Sequence, residues 1–185
     1  FGGSQGASVL SAAAPGAVAR LDAGIRSRLS IVHQARDDEL ETVRRQYADA
    51  GVEVEVAPFF EDLPDRIARA HLVIARAGAS TVTELALIGR PSILVPLAIA
   101  MDDHQTGNAR VLSDAGAAIM IPEPELSAET LRAAIAPLVS EGARLDDMAE
   151  RRRGLLKDNA SSTLADLVER IAIDRSDADV KKDAA

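Results

Sequence analysis

Two glycine-bearing turns, one carboxylate and a pair of amides are where this sequence could do chemistry. The first turn is Gly2-Gly3-Ser4-Gln5-Gly6-Ala7 and the second is Arg76-Ala77-Gly78-Ala79. Each runs into a helical stretch. Glycine lets backbone N–H groups approach an anion closely, and a helix start adds partial positive charge. Either turn alone also fits an ordinary strand-to-helix connection. Two of them facing one cleft suit a diphosphate better than a single phosphate. Glu84 follows the second turn, in Thr81-Val82-Thr83-Glu84, and has two readings. In a capping box it would bond back to the N–H of Thr81. If the helix begins nearer Ala79, it faces the cleft, where a carboxylate can accept both hydroxyls of a ribose. Gln105 and Asn108 carry amides that donate and accept, which suits sugar hydroxyls. His33 stands at the end of an apolar run, and His104 beside Gln105. A lone histidine is more often structural than functional. Asp102-Asp103-His104 offers metal-ligand types, but adjacent residues rarely converge on one ion, and no metal is expected. No serine–histidine–carboxylate spacing supports a hydrolase triad.

The elements that must position these residues alternate along the chain. Short apolar runs at 29–32, 52–56, 72–75, 92–95 and 117–121 read as strands, and amphipathic stretches between them read as helices. Such alternation implies an α/β fold with a parallel, doubly wound sheet, in which ligands bind at the carboxyl ends of the strands. Four loops then converge: residues 3–7, 33–36, 59–62, and 78–84 together with 101–108. Residues 53–55 alternate charged and apolar side chains, placing that strand near an edge. Asp37 is expected to cap the helix that ends before Gly51. Phe59-Phe60 either packs under the next helix or forms a wall against a planar base. The helix over 80–88 stops at Gly89-Arg90-Pro91, and a polar loop leads to a helix over 107–115. Ser127 starts a further helix, and Gly142 breaks the chain before another over 143–156. Arg151-Arg152-Arg153 reads as a solvated face of that last stretch. A final helix ends near 173, and residues 174–185 form a charged, alanine-rich tail expected to be disordered. A glycine cluster before a helix normally follows a strand, and only Phe1 stands in for one. The sequence therefore reads as an α/β domain over 1–173 whose first strand is truncated.

Composition narrows the partners. The chain has 185 residues, a net charge of -8 and no cysteine. It is a poor general binder of nucleic acid, so any phosphate must be held by local N–H groups or a few placed cations. A disulfide scaffold and a thiolate metal site are excluded. Aromatic residues make up only 2%, so Ala, Val, Leu and Ile fill the core, as in helices packed on a parallel sheet.

Four segments carry a resemblance. Residues Gly2-Gly3-Ser4-Gln5-Gly6-Ala7, the run from Arg76 through Leu85, the run from Gly89 through Pro96, and Asp103-His104-Gln105-Thr106-Gly107-Asn108-Ala109 resemble the carboxy-terminal half of the MurG family of peptidoglycan transferases. That family moves N-acetylglucosamine from UDP-N-acetylglucosamine onto lipid I, making lipid II. The resemblance spans residues 1–173 and implies a Rossmann-like donor-binding half of a GT-B glycosyltransferase. By matching positions, Ser4 contacts the donor diphosphate, with Gly3, Gln5, Gly6 and Gly78 around it. The backbone at Phe60 meets the uracil. Ala79, Ser80, Thr81, Val82, Thr83 and Glu84 form the donor loop, with Thr81 near the phosphates and Glu84 on the ribose. Gln105 holds the sugar, with His104 as a variable polar neighbour. The family inverts the anomeric centre without metal or cofactor. Its acceptor site, membrane-facing patch and catalytic base belong to the amino-terminal half, so the resemblance implies a peripheral enzyme on the cytoplasmic face of the bacterial plasma membrane of which this is one half. Two other readings stay open: a GT-B transferase for another glycolipid acceptor, and a stand-alone donor-binding subunit needing a separate acceptor-binding partner. A sugar-nucleotide epimerase of related fold is a weaker third.

Overall fold

The computed structural model describes residues 1–3, 7–97 and 103–152, all within the compact unit Phe1–Leu155. Ser4, Gln5, Gly6, Asp102, Arg153, the expected last helix and the tail lie outside the described residues. The chain opens with helix α1 (Ser8–Ala19) and a short α2 (Ala23–Arg26). It then alternates: β1 (Ser30–Gln34), α3 (Leu40–Asp49), β2 (Glu53–Ala57), α4 (Leu63–Arg69), β3 (Val73–Ala75), α5 (Ala79–Ile88), β4 (Ser92–Leu94), α6 (His104–Ser113) and β5 (Ala118–Met120). A 3-10 turn (Glu123–Glu125), α7 (Ala128–Ser140) and α8 (Gly142–Arg151) complete it.

All strand pairs are parallel, and the whole is a Rossmann-like α/β arrangement. β1 pairs with β2, and β3-β4-β5 form a second ladder. Phe1 lies along β3 between them. Its nitrogen donates to Ile74 O at 2.7 Å, and its carbonyl accepts from Arg76 N–H at 3.2 Å. That is the bonding of a parallel strand opposite Ala75.

Apolar periodicity explains the layers. α1 presents Leu10, Ala13, Ala14 and Ala17 to Leu131, Ile135 and Leu138 of α7 and to Ile93 and Val95 at β4. β4 is buried along its length, and Ile93 and Leu94 are fully covered. Burying each such side chain contributes roughly 1.5–3 kcal/mol. Alanine on α1 lets it lie close to α7, and Pro15 sits inside the helix among these contacts. Val18 of α1, Val43 and Tyr47 of α3 and Val56 of β2 form a second cluster.

Several expectations need correction. The helix expected over 107–115 begins at His104, so Gln105 and Asn108 belong to its first turns and not to a loop. Its N-cap Asp103 takes a left-handed φ of 52°, which a short polar side chain tolerates best. Asp37 does not cap α3; the N-cap is Glu39, with no side-chain capping bond. Gly142 opens α8 and does not break the chain before it. The solvated face expected of this run holds for Arg151, whose side chain is 56% exposed, but not for Arg152. Arg152 donates from Nη1 to Ala86 O and to Leu87 O, closing the carboxyl end of α5. Arg151 pairs with Asp147 at 2.8 Å and lies over Gly116.

Candidate functional site

The ends of β3 and β4 are locked together first. Arg76, just past β3, pairs with Glu123 at 2.6 Å and donates to Val95 O and Pro96 O, both at 3.3 Å. Its side chain is 11% exposed, so this pair fixes the floor of the strand ends. Gln105 and Asn108 then tie α6 to the same turn. Gln105 Oε1 accepts from Ala77 N–H at 3.3 Å and from Leu97 N–H at 3.1 Å. Asn108 Nδ2 donates to Ala77 O at 3.1 Å. One amide oxygen and one amide nitrogen thus hold the turn that precedes α5.

α5 starts at Ala79 on the N-cap Gly78, with no side-chain capping bond and no acidic residue in its first turn. The first internal bond runs from Val82 N–H to Gly78 O at 3.0 Å. The earlier N–H groups have no carbonyl to meet inside the helix. Thr81 is therefore the third helical residue and not a cap, which removes the capping-box reading of Glu84. Thr81 and Val82 are buried, while Ser80 and Thr83 are exposed. Glu84 is half-buried, and no described residue bonds or pairs with it. It lies three and four residues beyond Thr81 and Ser80, and helical side chains lean toward the helix start. Its side chain therefore shares the helix face of Ser80 and Thr81. α6 also begins without an acidic first turn. By contrast Glu41, Asp65 and Glu129 stand in the first turns of α3, α4 and α7. α6 carries the carboxylate of its N-cap Asp103, so α5 is the one of the two helices meeting at Ala77 whose start has no acidic residue at its cap or first turn, an arrangement suited to an anion.

The glycine turn before α1 is described only at Gly2, Gly3 and Ala7. Gly3 takes φ of 77°, a backbone that only glycine adopts without strain. Gln34, at the end of β1, meets this turn: its Oε1 accepts from Gly2 N–H at 3.1 Å, and its Nε2 donates to Gly3 O at 2.9 Å. Nε2 also donates to Pro58 O at 3.1 Å, in the loop that carries Phe59 and Phe60. Phe60 is buried, with the Arg66 guanidinium 4.4 Å over its ring. Its side chain packs under α4, and only its backbone is left to meet a base. Phe59 is 65% exposed.

His33 is turned away from all this. Its Nδ1 lies 3.1 Å from the Tyr47 hydroxyl and its Nε2 3.4 Å from the Ser11 hydroxyl. Burial pushes the imidazole down to about 4 and the Tyr47 phenol upward. The ring is a neutral bridge joining β1, α1 and α3. Ser8 and Ser11 also bond Glu39. Burial raises that carboxyl, but these bonds and the backbone at Arg36 outweigh it and hold it below the usual range. Among the described residues no three histidine or carboxylate side chains cluster to hold a metal, and no helix is long and apolar enough to cross a membrane.

The structure therefore brings Gly78, Ala79 through Glu84, Gln105 and Asn108 together, with Gln34 linking Gly3 to the Phe60 loop. It does not bring His33 to them. Sequence reasoning missed Gln34, although an amide at the carboxyl end of a buried strand was the visible signal. It also missed Arg76–Glu123.

The glycosyltransferase family 28 C-terminal domain matches residues 1–171. The UDP-N-acetylglucosamine–N-acetylmuramyl-(pentapeptide) pyrophosphoryl-undecaprenol N-acetylglucosamine transferase of Caulobacter vibrioides is 52% identical over 171 residues, covering 92% of this chain and 47% of that protein. The protein of the same description from Phenylobacterium zucineum is 49% identical over 171 residues, with 92% and 47% covered. The chain thus spans about half the length of these relatives. Among solved structures, Acinetobacter baumannii MurG superposes with a TM-score of 0.81 at 37% identity, over 92% of this chain and 50% of that one.

Proposed function

The chain belongs to the glycosyltransferase family 28 C-terminal domain family, and on that premise we propose that residues 1–173 are the donor-binding half of an inverting, metal-independent transferase. The donor is UDP-N-acetylglucosamine, the acceptor is lipid I and the product is lipid II. The observation that carries this reading is the open start of α5, with Glu84 bonded to no described residue and Gln105 and Asn108 clamping the preceding turn. In this reading Thr81 and the N–H groups of Ala79 and Ser80 receive the diphosphate, together with Gly3, Ser4, Gln5 and Gly6. Val82 and Thr83 shape that helix start, Glu84 accepts the ribose hydroxyls, and the Phe60 backbone reads the uracil. Gln105 has its Oε1 occupied by two N–H groups, so its amide nitrogen is the group turned to the sugar, with His104 and Asn108 alongside. Acceptor binding, proton abstraction and contact with the cytoplasmic face of the bacterial plasma membrane fall to a partner half.

Catalysis requires an acceptor hydroxyl held in line and a base to take its proton. His33 is spoken for by Ser11 and Tyr47, which supports assigning the base elsewhere. Titration of the chain with UDP, followed by amide NMR, is expected to move Gly2, Gly3, Phe60, residues 79–84 and Gln105. Shifts clustered at the opposite ends of α5 and α6 would overturn the site. Transfer of labelled N-acetylglucosamine to a lipid I analogue is expected to be absent with the chain alone and present when a relative's amino-terminal half is joined to it. Turnover by the chain alone would reject the half-enzyme reading.

A further inference from the structure

The geometry points to Gln34 as a positioning residue that sets the spacing between the two loops holding opposite ends of the nucleotide; this rests on the donor-site reading above. Gln34 is buried, 8% exposed, and its side chain makes three backbone bonds in two places. Oε1 accepts from Gly2 N–H, and Nε2 donates to both Gly3 O and Pro58 O. Both amide protons are therefore spent, one on the glycine turn before α1 and one on the loop after β2. These loops are far apart in sequence and come from different strands. β1 pairs with β2 through Gln34 and Ala57, but no backbone pairing reaches from β1 to Gly2 or Gly3 among the described residues. The side chain supplies that connection.

The choice of residue follows from hydrogen-bond inventory. Only a carboxamide accepts from one N–H while donating to two carbonyls. Ionised glutamate would set a carboxylate against both carbonyl oxygens, methionine would leave three backbone groups unpaired, and asparagine is one methylene short. The amide also fixes Gly3, whose φ of 77° leaves the turn otherwise free to relax. A nucleoside diphosphate must reach from the Phe60 loop to the glycine turn, so the Gln34 bridge holds both contacts at the spacing of one ligand. The chemical class it selects is a base and ribose joined to a diphosphate, recognised as a unit.

Three variants of measurement test this on the 185-residue chain. First, without nucleotide, Gln34→Ala is expected to raise amide hydrogen exchange at Gly2 and Gly3 and at Phe59 and Phe60 together. A rise at one loop only would overturn the bridge, whether or not UDP is the ligand. Second, Gln34→Ala is expected to bind UDP about tenfold to hundredfold more weakly, while its affinity for uridine alone changes far less. Equal losses for UDP and uridine would mean a general loosening and would overturn the spacing role. Third, Gln34→Glu is expected to lose UDP affinity progressively from pH 5 to pH 8 as the new carboxyl ionises against Gly3 O and Pro58 O, against a flat wild-type ratio of UDP to uridine affinity. A variant with the wild-type pH profile would reject the inference. Failure of the wild-type chain to bind UDP would reject the donor reading alone, because the exchange experiment reads the bridge separately.

Discussion

α7 and α5 begin in opposite ways. α7 closes its own amino end: Ser127 Oγ accepts from Thr130 N–H at 3.0 Å, and Thr130 Oγ1 accepts from Ser127 N–H at 2.9 Å. Glu129 adds negative charge in that first turn. α5 begins on a glycine with no side-chain cap and no acid. It is secured at the other end, where Gly89 takes a left-handed φ of 84° and Arg152 bonds the carbonyls of Ala86 and Leu87. A helix whose own sequence satisfies its amino end has nothing left there for a ligand. α5 keeps its N–H groups open and draws its stability from a guanidinium delivered by α8. The pair shows that a helix start can be left open when the far end of the helix is held.

Breaking the rear clamp should have the largest effect. A Cβ at Gly89 would stand 2.6 Å from Arg152 Nη2, and the residue would still need a left-handed backbone. Gly89→Ala is expected to cost about 3–5 kcal/mol of stability, from the left-handed penalty and the lost charge-assisted bonds. Chemical denaturation measures it; a loss under about 1 kcal/mol would mean that α5 does not depend on the clamp. A pH scan extends the contrast to a polar group fully closed on its neighbours. His33 is held neutral, its folded value of about 4 lying below the ordinary 6.5. The unfolded chain binds the proton first, so the stabilisation is complete above pH 6.5 and is lost as pH falls toward 4. The total is on the order of 3 kcal/mol. The portion between pH 6.5 and 5, where carboxylates have scarcely begun to titrate, should vanish in His33→Gln. A wild-type slope persisting in that variant would assign it to other groups.

Glu84→Ala tests the open end of α5 directly. Loss of a charge-assisted bond of roughly 1.5–3 kcal/mol should weaken UDP binding about tenfold to hundredfold, with Tm nearly unchanged because Glu84 bonds no described residue. A fall in Tm with UDP affinity intact would restore a structural role. Ser127→Ala should do the reverse at the smallest scale. It removes a cap contributing about 1 kcal/mol, lowering Tm slightly while UDP affinity holds. If it weakened UDP binding as much as Glu84→Ala, the contrast between the two helix starts would fail.

The sequence pattern carried the alternation of strands and helices, because period and turn residues are local signals. The Gly89-Arg90-Pro91 stop and the Ser127 start were legible for the same reason. The start of α5 was not, since Thr81-Val82-Thr83-Glu84 satisfies a capping box as well as a helix that begins at Ala79. Only the tertiary ties from Gln105 and Asn108 to Ala77 distinguish them. Those same ties explain why α6 begins at His104 and not at Gly107. Gln34 and Arg152 were illegible in another sense: the groups they bond lie in distant segments, and nothing near them in the chain names those partners. Arg151-Arg152-Arg153 read as a solvated run because charge is usually wet; Arg151 is exposed as read, whereas Arg152 is drawn onto the end of α5.

Two glycines share a pattern with a consequence for how the chain can change over generations. Gly89 ends α5 and lies under Arg152; Gly116 follows α6 and lies under Arg151, where a Cβ would stand 2.9 Å from Arg151 Cδ. Adjacent arginines thus cover the tails of the two helices whose heads form the candidate donor site. A side chain at either glycine would push the covering arginine aside and would also need a left-handed backbone. Losing one guanidinium makes room at the matching glycine but leaves its left-handed φ in place, so both positions remain held to glycine by their backbone. The two glycines should then vary less between lineages than the arginines that cover them.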